Sequence, residues 1–331
     1  MTNSAEVHLE TSFVYNNSAN SGGGFVLAEA SSLTMISSSL QNNTSSFTGG
    51  VAAVFADAEL HVLNCTAYSN YAELGAFSFS TESTVQTIDA SSFYHNLAER
   101  GGVVFGSAES QISINDCDFK GNHAAIGGVL YLLNKQVNVS RSNFTYNTAL
   151  SEDGGAIYMS FVRNFNVDHC SFERNSATKS GQIYIADTSR AVITSCKCLD
   201  GIANIGGCIG VDGSSNVEMR DNQISNNRAA LVGGGISIAT GSVLNISNSV
   251  IENNTAVAGG GIQVQGTLIA DSVTIQNNAA QKLGGGILIK GGVTSNILNA
   301  VHCINNTAHL GGGMVLGYDS CSVLSRDCVF E

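Results

Sequence analysis

Phe144-Thr145-Tyr146-Asn147-Thr148-Ala149-Leu150-Ser151-Glu152-Asp153-Gly154-Gly155-Ala156-Ile157 holds the pattern that organises the whole chain. An apolar residue is followed, after two variable positions, by Asn; two positions later comes Ala, and then a Gly pair that opens an alternating apolar stretch. The same unit returns at Phe93-Tyr94-His95-Asn96, Phe119-Lys120-Gly121-Asn122 and Phe172-Glu173-Arg174-Asn175. The full column reads Asn17, Asn43, Asn70, Asn96, Asn122, Asn147, Asn175, Asn227, Asn254, Asn278 and Asn306, with Gly201 in place of Asn between 175 and 227. A step of about 26 residues marks a solenoid, in which no single repeat buries its own apolar face and each is completed by its neighbours.

Each position of the unit has a physical task. The small residue two places after Asn is Ala in every copy except Ser45, as expected of a tight inward corner that a larger side chain would overpack. Gly101-Gly102, Gly127-Gly128, Gly206-Gly207, Gly259-Gly260 and Gly311-Gly312 repeat the Gly pair, and only Gly75-Ala76 and Ser180-Gly181 depart from it. Fixed glycines imply positive φ or a turn pressed against its neighbour. Ile236-Ser237-Ile238, Ile112-Ser113-Ile114 and Val137-Asn138-Val139 alternate at period two, so strands fill the rest, three to a coil with three turns. The reading is an all-β, right-handed parallel β-helix of about twelve coils of roughly 26 residues. Stacked Asn residues about 4.8 Å apart would hydrogen-bond amide to amide along the axis. The chain reads as one domain over 1–331 and, stopping inside a coil at Cys328-Val329-Phe330-Glu331, as a piece of a longer protein.

Composition narrows the function classes. Charged residues are 12% of the chain, Pro and Trp are absent, and the net charge is −12. Its scattered Lys and Arg argue against nucleic acid as a partner, since that affinity needs clustered cations. No apolar run approaches the length that spans a bilayer, so no direct membrane insertion is expected.

The paired signatures Phe144-x-x-Asn147 and Gly154-Gly155-Ala156-Ile157 resemble those of the chlamydial polymorphic membrane proteins. Other copies drift, with Ile224, Ile251 and Ile275 at the Phe position and Gly-Gly-Gly-Ile in place of Gly-Gly-Ala-Ile. In that family the repeats form the surface-exposed passenger of autotransporter adhesins. The resemblance implies a displayed structural or adhesive rod, with extracellular or cell-surface localisation. The partners expected are other protein subunits or further coils of the same chain at the rod ends, together with cell-surface glycans.

The alternative is a polysaccharide-active β-helix enzyme, a lyase, hydrolase or epimerase, which requires carboxylates converging on one outer face. Asp116 and Asp118 are the best pair, on one strand and one face, but the positions taken as equivalent in the flanking coils, Ala90 and Ser92, and Ser142 and Asn143, add no charge. No catalytic residue, cofactor or metal site is assigned; His95, His123 and His169 fall in different columns. Sequons at Asn16, Asn42, Asn43, Asn64, Asn138, Asn143, Asn245, Asn253 and Asn305 are glycosylation candidates. Among nine cysteines, Cys170 and Cys196 occupy adjacent coils at a spacing that suits a disulfide, and Cys198 with Cys208 is a second pair. Core-filling thiols are the competing reading.

Overall fold

The computed structural model describes residues 5–188, 190–290, 295–317 and 322–331. Among them every regular element is a strand, the ladders are parallel, and the chain winds into a right-handed β-solenoid of about twelve turns about 26 residues apart. It divides into two compact units, Met1–Asn166 and Val167–Glu331, which are taken in turn.

In the first unit one full coil runs through Glu59–Leu63, Thr66–Tyr68, Tyr71–Leu74 and Ser78–Ser80. That is four short strands where the sequence suggested three. The cause lies at the corners: Asn64, Ser69 and Gly75 each take positive φ (53°, 54° and 64°), and Glu82-Ser83 makes a wider turn of the same hand. A single left-handed residue breaks a strand without leaving a loop, so two strands read as one alternating run.

The apolar anchors Val14, Leu40, Ala67, Phe93, Phe119 and Phe144 stand in register. Phe93, Phe119 and Phe144 are fully buried, with ring centroids 5.0 and 4.8 Å apart, the spacing of the strands themselves. Each ring contributes about 1.5–3 kcal/mol by burial and roughly 0.5–1.5 more by stacking. On the opposite face of the neighbouring ladder Phe79, Phe105, Tyr131 and Tyr158 form a second stack at 5.2, 5.1 and 4.8 Å, flanked by Leu74, Ile126 and Leu133.

The second unit repeats the plan, with Asn216–Arg220, Gln223–Ser225, Arg228–Val232 and Ile236–Ile238 as one coil. Its anchors are Phe172, Cys198, Ile224, Ile251, Ile275 and Cys303, so β-branched and thiol side chains replace most of the aromatic ones. The outward column of its long ladder runs Tyr184, Gly210, Ser237, Gln263, Leu288. After Tyr184 the column shrinks to a bare glycine.

The glycine pair divides its labour as the repeat required. The first member carries the positive φ, and Ser180 takes it (57°) where that glycine is missing. The second faces the next coil, for a Cβ on Gly102 would meet the Gly128 carbonyl oxygen at 2.1 Å.

Candidate functional site

The Asn column is an internal structure. In the first unit Asn43 Nδ2 donates to Asn70 Oδ1 at 3.1 Å, Asn70 to Asn96 at 3.0 Å, Asn96 to Asn122 at 3.0 Å and Asn122 to Asn147 at 3.0 Å. The second amide hydrogen goes back one coil to an anchor carbonyl, as from Asn122 to Phe93 O at 3.0 Å. Each Oδ1 also accepts the backbone N–H of the preceding Asn. Asn17 starts the chain of bonds from an exposed position at 2.9 Å. In the second unit Asn227, Asn254, Asn278 and Asn306 continue the pattern at 2.9–3.0 Å.

The gap at Gly201 is filled from another position of the repeat. Gln182 accepts a hydrogen bond from Asn175 Nδ2 through Oε1 and donates Nε2 to Leu199 O at 2.9 Å, while the Gly201 N–H donates to Asn227 Oδ1 at 2.8 Å. A side chain on Gly201 would enter the space that Gln182 Nε2 occupies, 2.9 Å from the Cβ position.

The sequons separate by exposure. Asn16, Asn42, Asn64, Asn143, Asn253 and Asn305 are exposed, and Asn138 and Asn245 are half-buried. Asn43 is fully buried with its amide held in the ladder, so the structure removes it from the glycan candidates. Asn16, Asn42, Asn64, Asn253 and Asn305 also have positive φ, a corner conformation in which Asn is favoured whether or not it is modified. Asn138 accepts from Asn166 Nδ2 at 2.9 Å and Asn64 donates to Ser37 Oγ at 3.0 Å.

The cysteines fall out differently from the expected order. Cys198 and Cys208 form a disulfide across ten residues, with Cα atoms 5.9 Å apart. Cys170 and Cys196 are not joined: both stay thiols in one buried column, with the Cys170 N–H donating to Cys196 Sγ at 3.4 Å and Cys196 Sγ donating to Thr194 O at 3.1 Å. The column gives each sulfur backbone partners of its own, and a bridge would turn them away. The thiol contact with Cys170, with burial, holds the Cys196 thiol far above its ordinary value. Burial pushes Cys117 and Cys303 up to about 12.

Asp116 and Asp118 do not make a catalytic pair. Asp116 is a corner residue (φ 52°) outside the strand Asp118–Lys120, and buried Cys117 separates the two. Its equivalent in the next coil is Arg141, not Ser142 as first aligned, because Asp118 pairs with Asn143. Arg141 binds it through Nε and one terminal nitrogen, both at 2.8 Å, and this bidentate contact pulls the Asp116 carboxyl below the usual range. His123 is pulled down by burial and by neighbouring His95, and no group of His, Cys, Asp and Glu suited to a metal occurs among the described residues.

One feature of the second unit has no counterpart in the sequence reading. A cleft of about 270 Å³ opens over the shrunken outward column, with Tyr184, Gly210, Ser237 and Gln263 on its floor. Lys179, Ile205 and Val232 enter these strands along one margin, and Asp212, Gln265 and Lys290 follow them along the other. Tyr184 Oη donates to Asp212 Oδ2 at 2.9 Å, Lys179 Nζ lies 5.5 Å from the Tyr184 ring centroid, and Ser237 Oγ donates to Gln263 Oε1 at 2.8 Å. The signal in the sequence was Gly210, a glycine at a strand position outside the Gly pair.

A family model described as right handed beta helix region matches residues 136–269. Among solved structures, a chain titled L. reuters 100-23 SRRP is 13% identical, with 89% of this chain and 93% of that chain covered and a TM-score of 0.39. No curated protein matches.

Proposed function

We propose that the chain is a non-catalytic structural or adhesive module of a secreted or cell-surface protein, part of an extracellular filament or coat. The observation that carries this reading is the division between a uniform interior and a varied exterior. In the first unit successive coils join their buried amides through the same four bonds, while the outward column runs His8, Thr34, His61, Thr87, Ser113, Asn138. A scaffold held from within tolerates any surface, which suits display. The Cys198–Cys208 disulfide and the exposed sequons support an oxidising, extracytoplasmic setting. The Phe-x-x-Asn and Gly-Gly-Ala-Ile signatures support kinship with the chlamydial polymorphic membrane proteins.

Other protein subunits, or further coils of the same chain, are the proposed partners. The test is light scattering on residues 1–331 across a concentration series, beside retention on immobilised cell-surface material. Mass that rises with concentration, or retention, supports the module. A fully monomeric, non-retained chain that releases products from pectin or alginate would establish the enzyme alternative, for which Asp212 in the cleft is the carboxylate to examine first.

A further inference from the structure

We infer that Asn42 is a site of N-linked glycosylation and that the glycan it carries keeps the ladder residue beside it, Asn43, unmodified; the inference rests on the extracytoplasmic reading and names a modification that such a setting brings. Two acceptor sequences overlap there, Asn42-Asn43-Thr44 and Asn43-Thr44-Ser45. Ten of the eleven ladder asparagines have Ala two places on, which denies them the hydroxyl that an acceptor sequence needs. Ser45 is the exception, so Asn43 is at once a ladder residue and an acceptor.

The fold gives the two neighbours opposite fates. Asn42 stands at an exposed corner with φ 52°, held by its backbone N–H on Tyr68 O at 3.2 Å, and its side-chain amide makes no hydrogen bond to a described residue. Thr44 is exposed as well, and Ser69, at the same corner of the next coil, is small and exposed. Asn43 is fully buried with both amide hydrogens spent, one on Val14 O at 2.9 Å and one on Asn70 Oδ1 at 3.1 Å.

In the transfer, the anomeric carbon of a lipid pyrophosphate-linked oligosaccharide bonds to the amide Nδ2, the bond from that carbon to the pyrophosphate oxygen breaks, Nδ2 gives up one proton, and the lipid pyrophosphate leaves. Nδ2 keeps a single hydrogen. At Asn42 this costs the fold no bond. At Asn43 it deletes one of two ladder bonds and sets a sugar in a close-packed interior without room for it. Asn43 is therefore an acceptor only before the first unit folds. Consecutive Cα atoms are about 3.8 Å apart, so an oligosaccharide on Asn42 covers the side chain that follows and keeps the transferase from it. A chain modified at Asn43 instead cannot close its ladder, so the folded population carries its glycan at Asn42.

The experiment expresses the 331-residue chain behind an added secretory leader in a eukaryotic host and maps the secreted and retained protein by peptide mass spectrometry before and after enzymatic deglycosylation. A glycan on Asn42 and none on Asn43 is expected in the secreted protein. Asn42→Gln leaves the second acceptor sequence intact; it should place a glycan on Asn43 in the retained fraction and lower the secreted yield at least about threefold. Adding Ser45→Ala to that variant removes the last acceptor and installs the residue of the other ten copies, giving up a hydroxyl contact with the carbonyl of exposed Asn20 at 2.8 Å, and should restore the yield. Bare Asn42 in the secreted parent, a glycan on Asn43 in secreted protein, Asn42→Gln with Asn43 still bare, or a yield that the double variant does not restore overturns the inference. A parent secreted in folded form with Asn42 bare leaves the extracytoplasmic reading standing. If parent and double variant are both retained unfolded while the same chain made in the cytoplasm folds, that reading fails.

Discussion

Replacing Asn122 by Leu cuts the first unit's ladder at its middle without changing the number of side-chain heavy atoms, so the cost is one of hydrogen bonding and not of packing. The Asn122 amide makes four bonds at 3.0 Å: to Asn147 Oδ1, to Phe93 O, and from the Nδ2 and backbone N–H of Asn96. After the change Asn147 still accepts the backbone N–H of residue 122, but the backbone N–H of Asn96 and one of its amide hydrogens are stranded in a site closed to water. Two buried donors without partners cost about 1–3 kcal/mol each, roughly 2–6 in all. Burial of the leucine offsets about 1–2, and a net loss of about 3 kcal/mol is expected. Urea unfolding followed by circular dichroism measures it, provided the slope with denaturant is unchanged. A loss below about 1 kcal/mol would mean that water enters the column, and the account of the ladder as the scaffold's internal support would be refuted.

Four further predictions follow from the same structure. Gln182→Ala should cost about 1–3 kcal/mol in unfolding free energy, because it removes the buried acceptor of one Asn175 amide hydrogen at the one repeat that lacks a ladder Asn; a neutral effect would show the gap to be harmless. Gln86→Leu combined with Ser78→Ala should stabilise by about 1 kcal/mol, since Gln86 sits among Leu33, Leu60, Ile112 and Val137 with its Nε2 buried and unpartnered and its Oε1 bound only by the Ser78 hydroxyl at 2.9 Å, and a lowered melting temperature would contradict this. Cys117 and Cys303 titrate near 9.0 when unfolded and near 12 when folded, so stability is complete below pH 9 and falls by about 1.4 kcal/mol per pH unit for each thiol as pH rises toward 12. In the native protein a thiol reagent should therefore reach half-exposed Cys328 well before either, and simultaneous labelling would show that the columns open. Because Arg141 depresses Asp116, their contact is present above the ordinary carboxylate range and is lost as pH falls through the lowered value; NMR titration of the Asp116 carboxyl should follow that order, and Arg141→Gln should return it to normal.

The fold was legible because its decisive residues repeat. The Asn column, the inward Ala and the glycine pair each recur at one period, and a periodic column in a parallel solenoid has one geometric meaning. What escaped was set by single residues. Positive φ at Asn64 or Ser69 leaves no mark in an alternating run, so four strands read as three. The coil that ends at Asn147 is one residue shorter than its neighbour, so a step of the usual 26 residues from Asp116 lands on Ser142 when the strand register places Arg141 there. Sequon arithmetic was blind to direction: Asn42 faces solvent at a corner and Asn43 beside it faces the core. Both cysteine pairs were in view, but spacing ranked them in the reverse order, since adjacent thiols in one column have partners along the column whereas Cys198 and Cys208 meet across a turn. The cleft was hidden because its floor departs from the repeat by losing side chains, and an absent side chain carries no motif.

The ladder's bonds reach only one coil forward and one coil back, and this makes the repeat a unit of inheritance as well as of structure. Removing residues 93–118 would bring Phe119 into the place of Phe93 and set Asn122 opposite Asn70, with every amide again matched. Copy number in the first unit is therefore free to drift by whole periods without breaking the ladder. The stretch around Gly201 has lost that freedom. Gln182 and Gly201 belong to different repeats, so a crossover that separates them leaves one coil with a surplus amide and the other with a hole. Length variants of this chain should accordingly gain and lose coils elsewhere and keep these two residues together.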